Sequence, residues 1–125
     1  MFIEIKTGRC TKASLIQSYK VLPSNPNQHE WSISMVVSGK IEIIAFTFQE
    51  ELQRCLDVLG RNLRGFFWFG ANRIKWSSIR KAVFKDEDRK IILSTSFKDY
   101  TAKFGEEDYN QMKDLLYAGL DIRGE

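Results

Sequence analysis

A pattern that recurs along the chain constrains the fold more than any other feature of the sequence. Shifted by 64 positions, the starts of the two halves align without a gap: Ile3 meets Phe67, Gly8 meets Asn72 and Arg9 meets Arg73. Shifted by 57, the ends align: Glu50 meets Glu107, Asp57 meets Asp114 and Leu59 meets Leu116. The seven-residue difference equals the length of the Pro- and Asn-rich loop at 23–29. A pattern that returns at a fixed spacing indicates a repeated structural unit.

Each half is predicted to contain four strands followed by a helix. Residues 31–37 alternate between apolar and small side chains, which is typical of a strand with one buried face. The second strand is expected to run to about Leu22, and to Phe84 in the other half, with a bulge near Ser14 and Ser78. Gly8 and Asn72 are expected at hairpin turns, because both residue types tolerate a left-handed backbone.

The helices are predicted from apolar residues at helical spacing behind acidic first turns. They run from Glu50 to about Leu63 and from Glu106 to about Leu120. We therefore expect an α+β fold of two ββββα repeats, about 1–64 and 65–125, whose antiparallel sheets pack around a pseudo-twofold with the helices on one face. At 125 residues the two repeats are expected to share one domain.

Composition favours a folded, cytoplasmic protein. Apolar residues make up 43% of the chain, enough for a packed core, and no stretch approaches the ~18 apolar residues of a membrane-spanning helix. Cys10 and Cys55 show no CxxC spacing and fall on apparent core positions of a strand and a helix, so both are expected to be buried, reduced thiols. No secretion signal is evident at the start of the sequence.

Residues with catalytic or metal-binding potential are sparse. His29, the single histidine, falls in the Pro/Asn loop, and one His with two distant Cys cannot form a closed zinc site. The acidic run at 86–88 is expected to be a solvated hairpin turn. We therefore expect a protein that is not an enzyme and carries no metal or organic cofactor.

The most unusual stretch combines basic and aromatic residues. Between Val58 and Lys85 there are seven Lys and Arg residues and no carboxylate. Four consecutive aromatics, 66–69, cannot share one face of a strand, so the strand is either buried on both faces or exposes Phe66 with Trp68 or Phe67 with Phe69. Cations contact phosphates and flat rings stack on unpaired bases, so this composition favours binding of single-stranded DNA or RNA. The candidate contact residues are Arg64, Phe66, Trp68, Arg73, Lys75, Trp76, Arg80 and Lys81.

The repeated strand-rich unit ending in a helix resembles the PUR-repeat proteins and, more loosely, the Whirly and PC4-like group. The resemblance covers nearly the whole chain as topology, and no motif matches residue by residue, so no functional residue is transferred. It implies intertwined units that bind single-stranded nucleic acid across a sheet surface.

A second resemblance leads to a different function. The stretch from Arg73 to Ile79, with the hairpin and helix that follow, is similar to the end of bacterial PH-like and GRAM-like domains, which implies a protein- or lipid-interaction module. That layout does not explain the helix that begins at Glu50. A structural accessory subunit, a protein partner and a homodimer also stay open.

Overall fold

The computed structural model describes residues 1–123, which form ten β-strands and two α-helices. The strands are β1 (Phe2–Lys6), β2 (Arg9–Lys12), β3 (Ile16–Val21), β4 (Trp31–Val37), β5 (Lys40–Phe46), β6 (Phe66–Phe69), β7 (Asn72–Lys75), β8 (Ile79–Lys85), β9 (Lys90–Thr95) and β10 (Asp99–Lys103). The helices are α1 (Gln49–Asn62) and α2 (Glu106–Gly119). All strand pairs are antiparallel, which confirms the predicted α+β class.

Apart from a further 3-10 turn at Pro26–Gln28 in the first half, the same order of elements occurs twice along the described chain: a hairpin, a 3-10 turn, three strands and an α-helix. Each half therefore has five strands, and the predicted count of four is wrong. The long second strand is interrupted by 3-10 turns at Ala13–Leu15 and Trp76–Ser78. Irregular pairing follows each turn, between Ile16 and Ser18 in β3 and between Ile79 and Lys81 in β8.

Contacts divide the chain into two compact units, Met1–Lys75 and Trp76–Glu125. This division lies about ten residues beyond the predicted repeat boundary because the β6–β7 hairpin joins the sheet of the first unit. There β7 pairs with β3, which gives the five-stranded order β5-β4-β3-β7-β6. The pseudo-twofold and the single domain stay predictions.

One face of the five-stranded sheet packs against α1. Ile33, Met35 and Ile44 are fully buried on this face and form a core with Leu52 and Cys55 of the helix. Strand periodicity places alternate residues on one face, and helical periodicity aligns residues three or four apart, so both elements present an apolar side to the same core.

The ends of α1 are fixed by local interactions. At its start, Glu51 Oε1 accepts a hydrogen bond from the backbone N–H of Phe48 at 3.2 Å. After its end at Asn62, the chain turns through Gly65, whose φ of 72° places it in the left-handed region. This turn leads the chain directly into β6.

The second unit is a three-stranded meander, β8-β9-β10, with α2. Its buried side chains are Ile91 and Leu93 on β9, Tyr100 on β10, and Tyr109 and Leu116 on α2. The Tyr109 hydroxyl donates a hydrogen bond to the Asp86 carboxylate, which also accepts one from Lys113 Nζ at 3.0 Å. These bonds tie α2 to the turn after β8.

The acidic run at 86–88 does form the predicted turn, but Asp86 is more than a solvated turn residue. Hydrogen bonds from Tyr109 and Lys113 hold the pKa of Asp86 below its usual range. Burial, followed by the bond to Asp86, raises the pKa of Tyr109 to about 12. The Asp86 carboxylate therefore has a structural role in this unit.

The expected turn role of Asn72 is wrong. Asn72 is the first residue of β7, and the left-handed residue of that hairpin is Gly70, with φ of 60°. In the first hairpin, Gly8 does take the left-handed conformation, with φ of 80°. Strand β1 contains an irregularity between Glu4 and Lys6 that the β6–β7 pairing lacks, so the gapless alignment misplaces the second turn.

The two cysteines also differ from the expectation that both are buried. Cys55 is buried in α1, and burial raises the pKa of its thiol to about 11. Cys10 is exposed, because its partner across the hairpin is the solvent-facing Glu4. No helix within residues 1–123 has the length and apolar character needed to cross a membrane.

This difference predicts selective thiol labelling. The native protein should react with Ellman's reagent at one thiol, and the protein unfolded in guanidinium at two, because Cys55 is buried and its thiolate is disfavoured. The Cys10→Ser variant should show no rapid reaction in the native state. Rapid labelling of both thiols in the native protein would contradict the described packing of α1.

A glycine near the end of each helix provides a paired stability test. A Cβ on Gly119 would lie 2.5 Å from the ring of Trp76, whereas one on Gly60 would meet its nearest atom at 3.8 Å. Gly119→Ala should therefore lower the free energy of unfolding by about 1–3 kcal/mol, because the ring must move. Gly60→Ala should raise it by up to about 1 kcal/mol, since alanine is the better helix former. Urea unfolding followed by circular dichroism measures both, and a stabilised Gly119→Ala variant would refute the packing of Trp76.

Candidate nucleic-acid interface

The four consecutive aromatics form β6, an edge strand of the five-stranded sheet. Phe67 and Phe69 are buried on one face. On the other face Phe66 is half-buried against the core of the first unit, and the side chain of Trp68 is 51% exposed. The question left open by the sequence is thus answered: one face of β6 is buried, and the other carries the exposed Trp68.

Trp68 stands at the end of a row of side chains that crosses the sheet. The strand register places Met35, Tyr19, Arg73 and Trp68 side by side on neighbouring strands, on the face that packs against α1. A Cβ on Gly60 of α1 would be 3.8 Å from Nη1 of Arg73. Trp68 therefore lies beside the end of α1, at the sheet edge.

Arg73 is held between two aromatic rings. Its guanidinium carbon is 5.9 Å from the ring centroid of Tyr19 and 5.9 Å from that of Trp68. Nη1 of Arg73 donates a hydrogen bond to the hydroxyl oxygen of Tyr19 at 2.8 Å, and the Tyr19 and Trp68 rings meet edge to face at 5.9 Å. Such contacts restrict the rotamers of all three side chains. We name these three residues the Trp68 cluster.

The unit that contains the Trp68 cluster has an excess of positive charge. Met1–Lys75 contains ten Lys and Arg residues and six Asp and Glu residues. Arg64 is exposed just before β6. Lys75 pairs with Phe66 across the hairpin, and its Nζ donates a hydrogen bond to the Ser14 carbonyl at 3.4 Å. Within residues 1–123, Nε of Arg73 is buried without a hydrogen-bond partner.

The structure places the eight predicted contact residues in both units. The first unit contains Arg64, Phe66, Trp68, Arg73 and Lys75, and the second contains Trp76, Arg80 and Lys81. Trp76 is half-buried, with its six-membered ring beside Gly119, so part of the ring is already covered. Arg80 and Lys81 are exposed on β8.

Sequence reasoning missed Tyr19 as a member of the cluster. It lies 54 residues before Arg73, and only the pairing of β3 with β7 brings the two together. Nothing local distinguishes Tyr19 from other strand aromatics, so no motif search could have found it. Its role depends on a non-local strand pairing.

The structure also shows the surroundings of the residues that could bind a metal. Within residues 1–123, no three or more His, Cys, Asp or Glu side chains group in a way that could hold a metal ion. His29 occupies the left-handed position after a 3-10 turn, with its ring 6.3 Å from that of Trp31. The predicted lack of enzymatic activity stays a prediction.

The Trp68 cluster predicts an energetic coupling between Tyr19 and Arg73. Tyr19→Phe removes the acceptor of a charge-assisted hydrogen bond and should lower the free energy of unfolding by about 1.5–3 kcal/mol. In an Arg73→Leu background the same change should cost much less, because the bond is already lost. A double-mutant cycle from urea unfolding measures the coupling, and a value near zero would contradict the cluster.

No protein-family model, no curated protein and no solved structure matches this chain. The resemblance to PUR-repeat, Whirly and PC4-like proteins therefore stays an expectation.

Proposed function

We propose that the protein binds single-stranded DNA or RNA, with Trp68 as a stacking surface for an unpaired base. The observation that supports this best is the exposed side chain of Trp68, which Arg73 and Tyr19 hold in place. Trp68 also lies in the segment between Val58 and Lys85, which is basic and has no carboxylate. A surface ring that is already fixed loses little entropy when a ligand stacks on it. Stacking on an aromatic side chain contributes roughly 1–3 kcal/mol per base.

Arg73 and Arg64 have different roles in this proposal. Arg73 is engaged by Tyr19 and by two rings, so it positions Trp68. Arg64 is exposed, lies two residues before β6 and forms no ion pair within residues 1–123, so it is available to a phosphate. Lys75 adds positive charge on the neighbouring strand, and Phe66 packs against the core of the first unit on the same face of β6 as Trp68.

The preference for single strands follows from the chemistry of stacking. In a duplex both faces of nearly every base are covered by neighbouring bases, whereas a single strand can present a base face to a protein ring. Trp68 lies on a short edge strand with its ring half-exposed, which suits an unstacked base.

The PH-like and GRAM-like alternative is less well supported. Such a domain has only a closing helix, whereas α1 stands between β5 and β6 in the middle of this chain. A structural accessory role has no specific observation in its favour. We also propose a cytoplasmic location, since Cys10 and Cys55 are both free thiols, as is usual in a reducing compartment.

Paired substitutions test the proposal. Fluorescence anisotropy measures the affinity of each variant for labelled oligothymidine and oligouridine, and a labelled duplex of the same length and anionic vesicles serve as competing kinds of ligand. Trp68→Ala should weaken single-strand binding by roughly ten- to a hundredfold and leave the salt dependence unchanged, because stacking releases few counterions. Arg64→Ala should weaken binding and reduce the slope of log K against log salt by at most about one unit.

Matched controls come from the same unit. Phe48→Ala removes an aromatic side chain that is 58% exposed outside the basic segment, and Arg54→Ala removes an exposed cation on α1. Both should bind as the parent protein does. Equal losses in controls and test variants, or binding to vesicles and not to single strands, would overturn the proposal.

A further inference from the structure

Strand β5 is the edge of the five-stranded sheet that lies opposite to β6. It pairs with β4 in an unbroken register over its whole length, and it contains no proline. Bulges and proline residues are among the usual devices that keep an exposed strand edge from pairing with another chain. A long and regular edge that lacks both can accept a further strand.

The turn before β5 determines the hydrogen-bonding pattern of this edge. Ser38 and Gly39 have φ values of 51° and 77°, which is typical of the two-residue turn of a tight hairpin. In such a hairpin the residues that flank the turn, here Val37 and Lys40, form a hydrogen-bonded pair. Because bonded and non-bonded pairs alternate along an antiparallel ladder, every second residue of β5 counted from Lys40 bonds to β4, and the residues between them direct their N–H and C=O groups to the open edge.

The outward backbone groups belong to Ile41, Ile43 and Ala45. The Ala45 carbonyl accepts a hydrogen bond from Lys6 Nζ at 2.6 Å, which agrees with its pointing away from β4. Within residues 1–123, the backbone groups of Ile41 and Ile43 form no hydrogen bond with a further element. Their side chains are 57% and 62% exposed, on the face of the sheet away from α1. Unpaired backbone groups and uncovered apolar surface therefore occur together at this part of β5.

Opposite charges flank Ile41 on the other face of the strand. Lys40 is exposed and forms no ion pair within residues 1–123. The Glu42 side chain is 40% exposed, and its Oε1 lies 3.6 Å from Nη2 of Arg9. A carboxylate has a second oxygen that can accept a bond from another cation. A cation and an anion on either side of one residue are self-complementary across a twofold axis at that residue.

We propose that β5 pairs antiparallel with β5 of a second copy of this chain, with the twofold axis at Ile41. In this register Lys40 lies opposite Glu42 of the second copy, so opposite charges pair on both sides of the axis. Ile41 lies opposite its own counterpart and diagonal to Ile43 of the second copy, so these side chains meet in one apolar cluster. The interface is isologous and closed, because the same edge is used by both copies.

The neighbouring registers are less favourable. An axis at Glu42 would place the two Glu42 side chains directly opposite each other, and like charges in this position are destabilising. An axis at Ile43 would require the Ala45 carbonyl to accept a bond from Ile41 of the second copy, but Lys6 already donates to this carbonyl. The axis at Ile41 avoids both conflicts.

The oligomeric state of the purified protein is the first measurement. Sedimentation velocity at concentrations up to about 1 mM should show a reversible monomer–dimer equilibrium. Ile41→Lys places two cations face to face at the axis and should weaken the dimer at least about tenfold. Leu115→Lys, the same change at an exposed leucine of α2, should leave the dimer unchanged. A protein that stays monomeric, as it would if a different macromolecule covers β5, overturns the inference, and so does an equal effect of Leu115→Lys.

Complementary charge variants test the ion pairs. Lys40→Glu and Glu42→Lys should each dimerise less than the parent protein, since each makes like charges face each other across the axis. An equimolar mixture of the two variants should form a heterodimer, because every cation then faces an anion. If both variants are folded by circular dichroism and their mixture forms no heterodimer, the pairing of Lys40 with Glu42 is refuted.

Cysteine cross-linking in a Cys10→Ser background tests the register. Ile41→Cys should form a disulfide-linked dimer on oxidation with copper phenanthroline, because Cα atoms of a bonded pair at the axis lie about 5.5 Å apart, within the range of disulfides. Ile43→Cys should not cross-link, since residue 43 lies opposite Gly39 of the second copy and the two introduced thiols are roughly 13 Å apart along the strands. The reverse pattern would refute the axis at Ile41.

The dimer and the proposed function can fail independently. Strands β5 and β6 lie at opposite edges of the sheet, so Trp68→Ala should leave the dimer intact while it weakens single-strand binding. Dimerisation without single-strand binding refutes the proposed function alone. Single-strand binding by a protein that sediments only as a monomer refutes the β5 interface alone.

Discussion

The pleat of strand β6 is the constraint on which the proposed interface depends. Neighbouring side chains of a strand point to opposite faces, so burying Phe67 and Phe69 on one side places Phe66 and Trp68 on the other. Phe66 packs against the core of the first unit, but β6 is the edge of its sheet and Trp68 has no further strand beside it. An exposed tryptophan is therefore a direct consequence of four aromatics on an edge strand.

The pairing of β6 with β7, and of β7 with β3, also holds the ring of Trp68 in place. Strand β7 joins β3, and this register sets Arg73 beside Tyr19 on one side and beside Trp68 on the other. Because two aromatic rings and the Tyr19 hydroxyl hold the guanidinium of Arg73, this group is poorly placed to contact the phosphate of a ligand. We therefore propose that Arg73 positions the ring of Trp68, whereas the exposed Arg64 contacts the backbone of a bound strand.

Local patterns predicted the elements of this fold, and non-local pairing determined the site. Helical spacing and acidic first turns located α1 and α2, because these signals lie within a few residues of each other. The four aromatics were correctly identified as too many for one face. The exposure of Cys10 and the partner Tyr19 could not be predicted, since each depends on strand register or on a contact between distant segments. The 3-10 turn at Trp76–Ser78 also left no sequence signal strong enough to distinguish it from a bulge.

The three tryptophans allow the central claim to be measured directly. Trp31 is half-buried against the core, Trp76 lies beside Gly119, and Trp68 is exposed in the Trp68 cluster, so each indole N–H reports on a different environment. In an NMR titration of the labelled protein with oligothymidine, we expect the indole signal of Trp68 to shift strongly and to saturate, while that of Trp31 stays in place. A titration in which Trp68 does not respond, or in which Trp31 responds as strongly, would contradict the assignment of β6 as the stacking surface.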